Sequence, residues 1–302
     1  MREHTWSLAP TEERNPRSRG LDLKPTQEIL RIINREDARV APAVARQIPA
    51  IARAVDLIVA ALRRGGRLIY VGAGTSGRLA ALDAAECAPT FGVPARLVQA
   101  VIAGGRQALT RAVEAAEDSQ AQGTRDLTAK KVTAKDAVVV LTASGATPYV
   151  LGALRYAKGR GAATIGITCN PRPAIARLAR ITIPLAVGPE VVAGSTRMKA
   201  GTAQKMVLNM LSTAVMVRLG HVYDNWMVNV ALTNRKLRGR GLRILEQATG
   251  ASVSQATRAL RQAGYDLRIA LIMLKTGVNA SAARRRLLVA KGNLRQVLRE
   301  KA

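Results

Sequence analysis

A short apolar run that ends directly in a glycine-rich turn constrains the fold of this chain most strongly. Residues 68–71 have the composition of a buried strand. The turn that follows carries three glycines and two hydroxyl side chains: Gly72, Gly74, Thr75, Ser76 and Gly77. A helical pattern then begins near Leu79. A strand that feeds such a turn and then a helix is typical of α/β proteins, and it can hold an anion because free N–H groups and the helix dipole face the turn.

The three glycines also fit the G-x-G-x-x-G pattern of dinucleotide-binding turns, which has many false positives. The acidic residue that should bind a ribose hydroxyl about twenty positions later is missing. Residues 88–102 contain neither Asp nor Glu. Two hydroxyls inside the turn suit a phosphate monoester better than a pyrophosphate. We therefore predict a phosphate site here.

The following segments alternate between strand and helix patterns. Strands are predicted at 96–103, 137–142, 163–168 and 181–187, with helices at 107–120 and 149–158. This alternation predicts a doubly wound, mostly parallel sheet flanked by helices, with ligands bound at the carboxyl ends of the strands. A second hydroxyl turn, 143–147, follows strand 137–142. Four hydroxyl residues could therefore converge on one phosphate: Thr75, Ser76, Ser144 and Thr147.

The domain organisation follows from composition and length. A chain of 302 residues is expected to form one large domain with a small appendage. Residues 1–24 are polar and predict an N-terminal arm, either a loose terminus or a segment that wraps a neighbouring subunit. Residues 25–248 are predicted to form the catalytic domain, and 249–302 a small helical C-terminal domain whose helices are separated by Gly264 and Gly277.

A net charge of +27 is the most unusual bulk property. It could indicate binding to a nucleic acid. The basic residues are spread along the chain, however, and no aromatic-rich basic module accompanies them. We therefore expect no nucleic-acid partner, and we interpret the arginines as surface residues that also favour anionic small substrates.

Compartment and metal content are constrained by a few residue types. Two cysteines and two histidines suggest a reducing compartment and no metal site. The charged residues 1–22 predict no secretory signal. The longest uncharged run, 137–154, is broken by Ser144, Gly145 and Pro148, so no membrane span is expected. These features predict a cytoplasmic protein.

Two acidic positions are candidates for proton transfer. Glu86 lies in a run of mostly small or apolar residues, 84–92, which predicts an interior or cleft position rather than an open helix face. The second position is the acidic group Glu114, Glu117 and Asp118, predicted to lie in the helix 107–120. Such groups usually decorate a solvated surface, but two carboxylates from adjacent βα units could act as acid and base on one substrate.

Several long motifs in the same order resemble the N-acetylmuramic acid 6-phosphate etherase family, which belongs to the sugar isomerase (SIS) superfamily. They cover almost the whole chain: residues 11–18, 66–78, 83–92, 111–119, 143–150, 188–190 and 194–206. The resemblance implies a SIS-type sandwich, no metal or organic cofactor, and a homodimer.

The implied reaction removes D-lactate from N-acetylmuramic acid 6-phosphate, a step in peptidoglycan recycling. It proceeds by elimination on the open-chain aldehyde, followed by addition of water. By position, Glu86 and Glu117 match the family's acid/base glutamates, and Glu114 does not. The family assigns the phosphate to Thr75, Ser76, Ser144 and Thr147. It suggests further substrate contacts from Ser195, Thr196 and Lys199, with help from Asn15 and Arg17 of the arm.

The chain departs from the family pattern at three positions. His221, Asn229 and Ala88 stand where Lys, Asp and Pro are expected. Three other functions stay open: a sugar-phosphate sensor without catalytic activity that resembles the glucokinase regulatory protein, a sugar-phosphate isomerase of the same fold, and a nucleic-acid binder. A sensor would not need both glutamates.

Overall fold

A five-stranded parallel sheet forms the centre of the fold. The computed structural model of the protein describes residues 10–232 and 234–298. The strands are β1 Leu68–Gly72, β2 Val98–Ile102, β3 Ala137–Thr142, β4 Ala163–Thr168 and β5 Ile181–Pro184. Every neighbouring pair is parallel and the order is β2-β1-β3-β4-β5. The predicted α/β class with a mostly parallel sheet is confirmed.

The strand order reverses between β1 and β3. From β1 the chain crosses to β2 on one side, whereas from β3 it continues through β4 to β5 on the other. Such a switch point opens a crevice at the carboxyl ends of the two central strands. In the register of this pair, Gly72 lies opposite Leu141. The turns after β1 and β3 therefore emerge side by side.

The central strands are buried on both faces. All residues of β1, β3 and β4 are buried. Their composition is mostly Val, Ile, Leu and Ala, as expected for a parallel sheet covered by helices. This rigid sheet fixes the positions of the turns at its edge.

Twelve helices surround or follow the sheet within the described residues. They are α1 Thr26–Asp37, α2 Val40–Ala45, α3 Ile48–Arg63, α4 Gly74–Phe91, α5 Gln120–Ala129, α6 Pro148–Gly159, α7 Lys199–Arg218, α8 Arg235–Thr249, α9 Val253–Gln262, α10 Leu267–Thr276, α11 Ala280–Val289 and α12 Leu294–Leu298. None of these helices is long and apolar enough to cross a membrane.

The described residues fall into two compact units. The first comprises the described residues up to Ala85 together with Ala95–Ser212, and contains the sheet. The second comprises Glu86–Pro94 and the described residues from Thr213 onward. The domain boundary predicted after residue 248 falls inside the second unit, near the end of α8, and stays a prediction. Residues 1–9 of the predicted arm and 299–302 lie outside the described residues.

The predicted helix over 107–120 is wrong. Residues 105–109 form a short 3-10 turn, and the chain then loops until Ser119, which caps α5 by accepting a hydrogen bond from Gln122 N. Ala115 has a φ of 57°, which no α-helix accommodates. Val113 is 39% exposed and Leu109 40%, so the larger apolar side chains of this segment are not buried in a core as an amphipathic helix requires.

The second unit is helical and its helix ends follow local rules. Asn234, Ser252, Asp266 and Asn279 cap α8 to α11 by accepting backbone N–H groups of the first turn. Gly264 and Gly277 separate the helices, as predicted. A further short helix, α12, follows Gly292.

Candidate active site

The first hydroxyl turn is held against the sheet by close backbone contact. A side chain at Gly77 would meet Ile102 Cγ1 at 2.5 Å and the carbonyl of Gly72 at 2.8 Å, so only glycine fits. Helix α4 begins at Gly74, which places Thr75 and Ser76 in its first turn. The Ser76 hydroxyl is buried and donates to Oε1 of Gln204, on α7, at 2.8 Å. The turn therefore places backbone N–H groups and the Thr75 hydroxyl at a helix N-terminus, which suits an anion.

The second hydroxyl turn is organised by Thr142, the last residue of β3. Thr142 Oγ1 lies 2.7 Å from Thr147 Oγ1 and 3.3 Å from Ser144 Oγ. It also accepts a hydrogen bond from Gly145 N at 3.1 Å. Asn170, which follows β4, donates from Nδ2 to the Ser144 carbonyl at 2.9 Å. These contacts fix the turn before any ligand binds.

Both turns line one cavity of about 1050 Å³, which lies entirely within the first unit. The cavity brings together six of the predicted site residues: Thr75, Ser76, Glu117, Ser144, Thr147 and Thr196. Glu86, Ser195 and Lys199 do not line it. The convergence follows from the reversal of strand order between β1 and β3, which sets the two turns beside each other.

Glu117 lies in the loop before α5, and not in a helix as predicted. Its side chain is exposed in the single chain and lines the cavity. Its carbonyl accepts a hydrogen bond from Tyr149 N, in the first turn of α6, at 2.9 Å. The peptide of Glu117 is therefore tied to the same helix start that follows the second hydroxyl turn.

Glu86 lies in the later part of α4 and belongs to the second unit. Its side chain is exposed, so of the two positions expected from the sequence, interior or cleft, the interior one is wrong for the single chain. The small and apolar neighbours that suggested burial are explained by Cys87 and Phe91, which are buried, and not by Glu86 itself. Its catalytic role stays a prediction.

Lys199 lies in a buried ionic cluster. Its side chain is 0% exposed, and Nζ lies 2.5 Å from Oε2 of Glu36. The Glu36 carboxylate also binds Arg17 through its guanidinium and Asn15 through Nδ2. Hydrogen bonding from Arg17, against the opposing effect of burial and with help from Lys199 and Asn15, lowers the pKa of Glu36 to about 2. The three predicted residues Asn15, Arg17 and Lys199 thus meet on one carboxylate that the sequence interpretation missed.

The N-terminal segment that carries Asn15 also forms part of the cavity wall. Pro10, Glu12 and Glu13 line the cavity. The Thr11 carbonyl accepts a hydrogen bond from Gly194 N at 3.1 Å, and the Ser18 hydroxyl donates to the Val191 carbonyl at 2.7 Å. The cluster around Glu36 therefore anchors a segment that shapes the site.

A second buried carboxylate, Glu190, caps α7. It accepts hydrogen bonds from Lys199 N at 3.0 Å and Ala200 N at 2.9 Å. Burial raises the pKa of Glu190, although these N–H groups oppose the shift. The carboxylate fixes the start of the helix that also supplies Gln204 to the first hydroxyl turn.

In residues 10–232 and 234–298, no three His, Cys, Asp or Glu side chains lie close enough together to hold a metal ion. The polar side chains that line the cavity are hydroxyls, carboxylates, the amides of Gln120 and Asn170, and one arginine, Arg172.

The parallel sheet with hydroxyl turns at its switch point fits a SIS-domain protein, and two sequence profiles match that class. The SIS domain profile matches residues 108–214, and the profile of the glucokinase regulatory protein N-terminal SIS domain matches residues 50–158. A phosphoheptose isomerase from Francisella tularensis has a similar fold, with a TM-score of 0.52 and 18% identity over 64% of this chain and 100% of that chain.

Full-length relatives identify the family within this class. An N-acetylmuramic acid 6-phosphate etherase from Pectobacterium atrosepticum is 54% identical over 288 residues, which cover 95% of each chain. Another from Geobacillus thermodenitrificans is 51% identical and covers 95% of this chain and 98% of the relative. The protein belongs to the N-acetylmuramic acid 6-phosphate etherase family.

Proposed function

We propose that this protein cleaves the D-lactyl ether of N-acetylmuramic acid 6-phosphate to give N-acetylglucosamine 6-phosphate and D-lactate. The observation that carries the proposal is the cavity in which two hydroxyl turns meet Glu117. The turns supply neutral donors and a helix N-terminus for the phosphate. The carboxylate supplies a proton-transfer group for chemistry on the sugar. The etherase relatives, at about half identity over almost the full length, support the choice of substrate.

The proposed reaction is an elimination followed by hydration. In the open-chain sugar the aldehyde acidifies the C2 proton, and one glutamate removes it. The C2–H electron pair forms the C2=C3 double bond as the C3–O bond breaks, and the departing lactate oxygen receives a proton from the other glutamate. Water then adds across the double bond, with its hydroxyl on C3 and its proton on C2. Glu86 and Glu117 are the proposed acid and base.

We propose that the phosphate binds Thr75, Ser76, Ser144 and Thr147, that Ser195 and Thr196 contribute further substrate contacts, and that Lys199 acts on the site indirectly. Thr196 is supported by its place on the cavity wall. Lys199 contributes through Glu36 and the start of α7, since its ammonium group is buried away from solvent. Asn15 and Arg17 hold the N-terminal segment in the same way.

We also propose a cytoplasmic homodimer as the working form. Glu86 and Glu117 are both exposed in the single chain. General acids and bases work best when water is excluded and their pKa values are adjusted by burial. A partner subunit that covers these carboxylates would supply that environment. Light scattering on the purified protein tests the dimer directly.

Release of D-lactate from N-acetylmuramic acid 6-phosphate tests the reaction. The native protein should release lactate, and Glu86→Gln and Glu117→Gln should each lose roughly a hundredfold or more in kcat, as expected for removal of a general acid or base. Glu114→Gln is the matched control for Glu117→Gln. Glu114 is also exposed and precedes Glu117 by three residues, but it does not line the cavity. Absence of release by the folded, dimeric native protein would refute the proposal.

The path of the oxygen atom tests the mechanism. In heavy-oxygen water, elimination and hydration place the label on C3 of the sugar product, whereas attack on the lactate carbon would place it in lactate. In deuterium oxide, the same path introduces deuterium at C2.

A second candidate is a sugar-phosphate sensor without catalytic activity. The profile match to the glucokinase regulatory protein domain over residues 50–158 supports it, since that stretch contains both hydroxyl turns and Glu117. A sensor would bind sugar phosphates without releasing lactate. Calorimetric binding combined with the lactate assay separates the two functions.

A further inference from the structure

The proposed substrate carries two anionic groups, a phosphate on C6 and the carboxylate of the lactyl group on C3. The two hydroxyl turns supply only neutral donors, from Thr75, Ser144, Thr147 and backbone N–H groups, since the Ser76 hydroxyl donates to Gln204. These suffice for the phosphate, which also gains from the N-terminus of α4. The carboxylate needs a separate partner.

The charge distribution around the cavity is unfavourable for a second anion. Four carboxylates line it: Glu12, Glu13, Glu117 and Asp118. Like charges at such short range repel, and more strongly where water is excluded. Among the described residues, Arg172 is the one Lys or Arg side chain on the cavity wall. A carboxylate ligand in this cavity therefore depends on Arg172.

The backbone of Arg172 is fixed relative to the second hydroxyl turn. Its N–H donates to Oδ1 of Asn170 at 2.9 Å, and Asn170 N donates to Thr168 Oγ1 at 3.1 Å. The same Asn170 donates from Nδ2 to the carbonyl of Ser144 at 2.9 Å. Residues 171 and 173 are prolines, which restrict the backbone on both sides of Arg172. Asn170 thus sets the spacing between the second hydroxyl turn and Arg172.

The side chain of Arg172 is available for a ligand. It is exposed in the single chain, and within residues 10–232 and 234–298 it has no carboxylate partner. By contrast, Arg67 is paired with the buried Asp136, and Arg17 with Glu36. A fixed backbone with an unpaired guanidinium at a cavity wall is suited to capture of a ligand anion, because the planar fork binds a carboxylate with two hydrogen bonds.

We propose that Arg172 binds the lactyl carboxylate of N-acetylmuramic acid 6-phosphate. The inference rests on the proposed function. It makes Arg172 a specificity residue: the substrate is held at both anionic ends, whereas the product N-acetylglucosamine 6-phosphate has lost the carboxylate and keeps only the phosphate contacts. Departure of lactate therefore weakens binding of the remaining sugar.

Kinetics of Arg172→Gln and Arg172→Lys test this assignment. The loss of a charge-assisted, bidentate contact should raise KM for the substrate by roughly 10- to 100-fold in Arg172→Gln. The kcat should change by less than about threefold, because the contact persists from ground state to transition state. Arg172→Lys should retain the charge and lose only part of the affinity.

Inhibition by N-acetylglucosamine 6-phosphate distinguishes the carboxylate from the phosphate. This sugar has the phosphate and lacks the lactyl group, so its inhibition constant should change by less than about threefold in Arg172→Gln, well below the change in KM. Arg53→Gln is the charge-matched control, since Arg53 is exposed on α3 and does not line the cavity. It should leave both constants unchanged.

Two results would overturn the inference. An unchanged KM in Arg172→Gln, in a protein with native thermal stability, would show that the arginine does not contact the substrate. An equal rise in KM and in the inhibition constant would assign Arg172 to the phosphate.

Failure of the proposed function gives a different pattern, in which the native protein releases no lactate. Calorimetric affinities for the two sugar phosphates then test Arg172 by themselves. A selective loss of affinity for the lactyl sugar in Arg172→Gln would support the inference. Equal affinities in native and variant protein, or no binding of either sugar, would overturn it.

Discussion

The buried polar contacts beside the cavity and the helix caps of the second unit span very different sequence distances. In the first unit, Ser76 bonds to Gln204 and Glu36 to Lys199, so that each contact joins distant parts of the chain. In the second unit, the side chains of Asp266 and Asn279 bond to backbone N–H groups within the next three residues. The first kind of contact exists only after the chain has folded, whereas the second forms with the helix itself.

This difference shows where the functional part of the molecule is vulnerable. The cavity wall depends on buried side chains that have no local substitute. Substitution of one of them leaves another buried group without its partner. The helix ends of the second unit are exposed, and water can replace a lost cap. Substitutions at these two kinds of contact should therefore differ severalfold in the free energy of unfolding that they cost.

The largest effect is expected at Glu36. Glu36→Ala leaves Lys199 buried without its carboxylate and releases Arg17 and Asn15. Removal of one partner of a buried ion pair costs about 3–5 kcal/mol. Glu28→Ala, which breaks the surface pair with Lys24, is the control and should cost about 0.5 kcal/mol or less. Urea unfolding measures the stability that each variant loses. Equal losses in Glu36→Ala and Glu28→Ala would contradict the difference between the buried and the exposed ion pair.

Acid should act on the same carboxylate. The folded-state pKa of Glu36 is about 2, below its ordinary value of 4.5. A lowered pKa adds stability above the unfolded-state value, and this contribution disappears as the pH falls from 4.5 towards 2. It amounts to roughly 3 kcal/mol. The unfolding free energy of Glu36→Gln should lose less over this pH range than that of the native protein, and parallel profiles would contradict the assignment.

A smaller effect is expected at Gln204, and it concerns binding. Gln204→Leu removes the acceptor that orients the Ser76 hydroxyl. Without this hydrogen bond of about 1 kcal/mol the first hydroxyl turn is less firmly fixed, so binding of N-acetylglucosamine 6-phosphate should weaken by up to roughly fivefold, as measured by calorimetry. Gln107→Leu, at an exposed position outside the cavity, should leave the affinity unchanged. Native affinity in Gln204→Leu would show that Ser76 does not need this partner.

The smallest effect is expected at a helix cap of the second unit. Asn279 accepts a hydrogen bond from Ala282 N at 2.9 Å at the start of α11. Asn279→Ala should cost about 0.5–1 kcal/mol in thermal unfolding, and Asn279→Asp, which keeps the acceptor, should cost less. A cost in Asn279→Ala as large as that of Glu36→Ala would remove the distinction between the two units.

The sheet and its turns could be predicted because their signals are local. Apolar β-branched runs predict buried parallel strands, and glycine with hydroxyl residues after a strand predicts an anion-binding turn. The convergence of Ser76 and Ser144 then follows from the edge of a parallel sheet. The helix ends at Gly264 and Gly277 could be predicted from the sequence for the same reason.

The remainder of the site depends on contacts that no short pattern contains. Gln204 is 128 residues from Ser76, and Lys199 is 163 residues from Glu36. A helical pattern at 107–120 predicted the wrong structure because periodicity does not reveal whether a core is present to pack against. For the same reason the sequence could not show that Glu86 is exposed while its neighbours Cys87 and Phe91 are buried.

The hydrogen bond from Tyr149 N to the carbonyl of Glu117 has an evolutionary consequence. It holds the backbone at position 117 through an atom that every amino acid possesses, while the carboxylate itself stays exposed. The side chain at this position can therefore be exchanged without refolding the loop or disturbing the hydroxyl turns. Under the proposed function, one codon change at this position would remove or restore a catalytic group while the two hydroxyl turns stay in place.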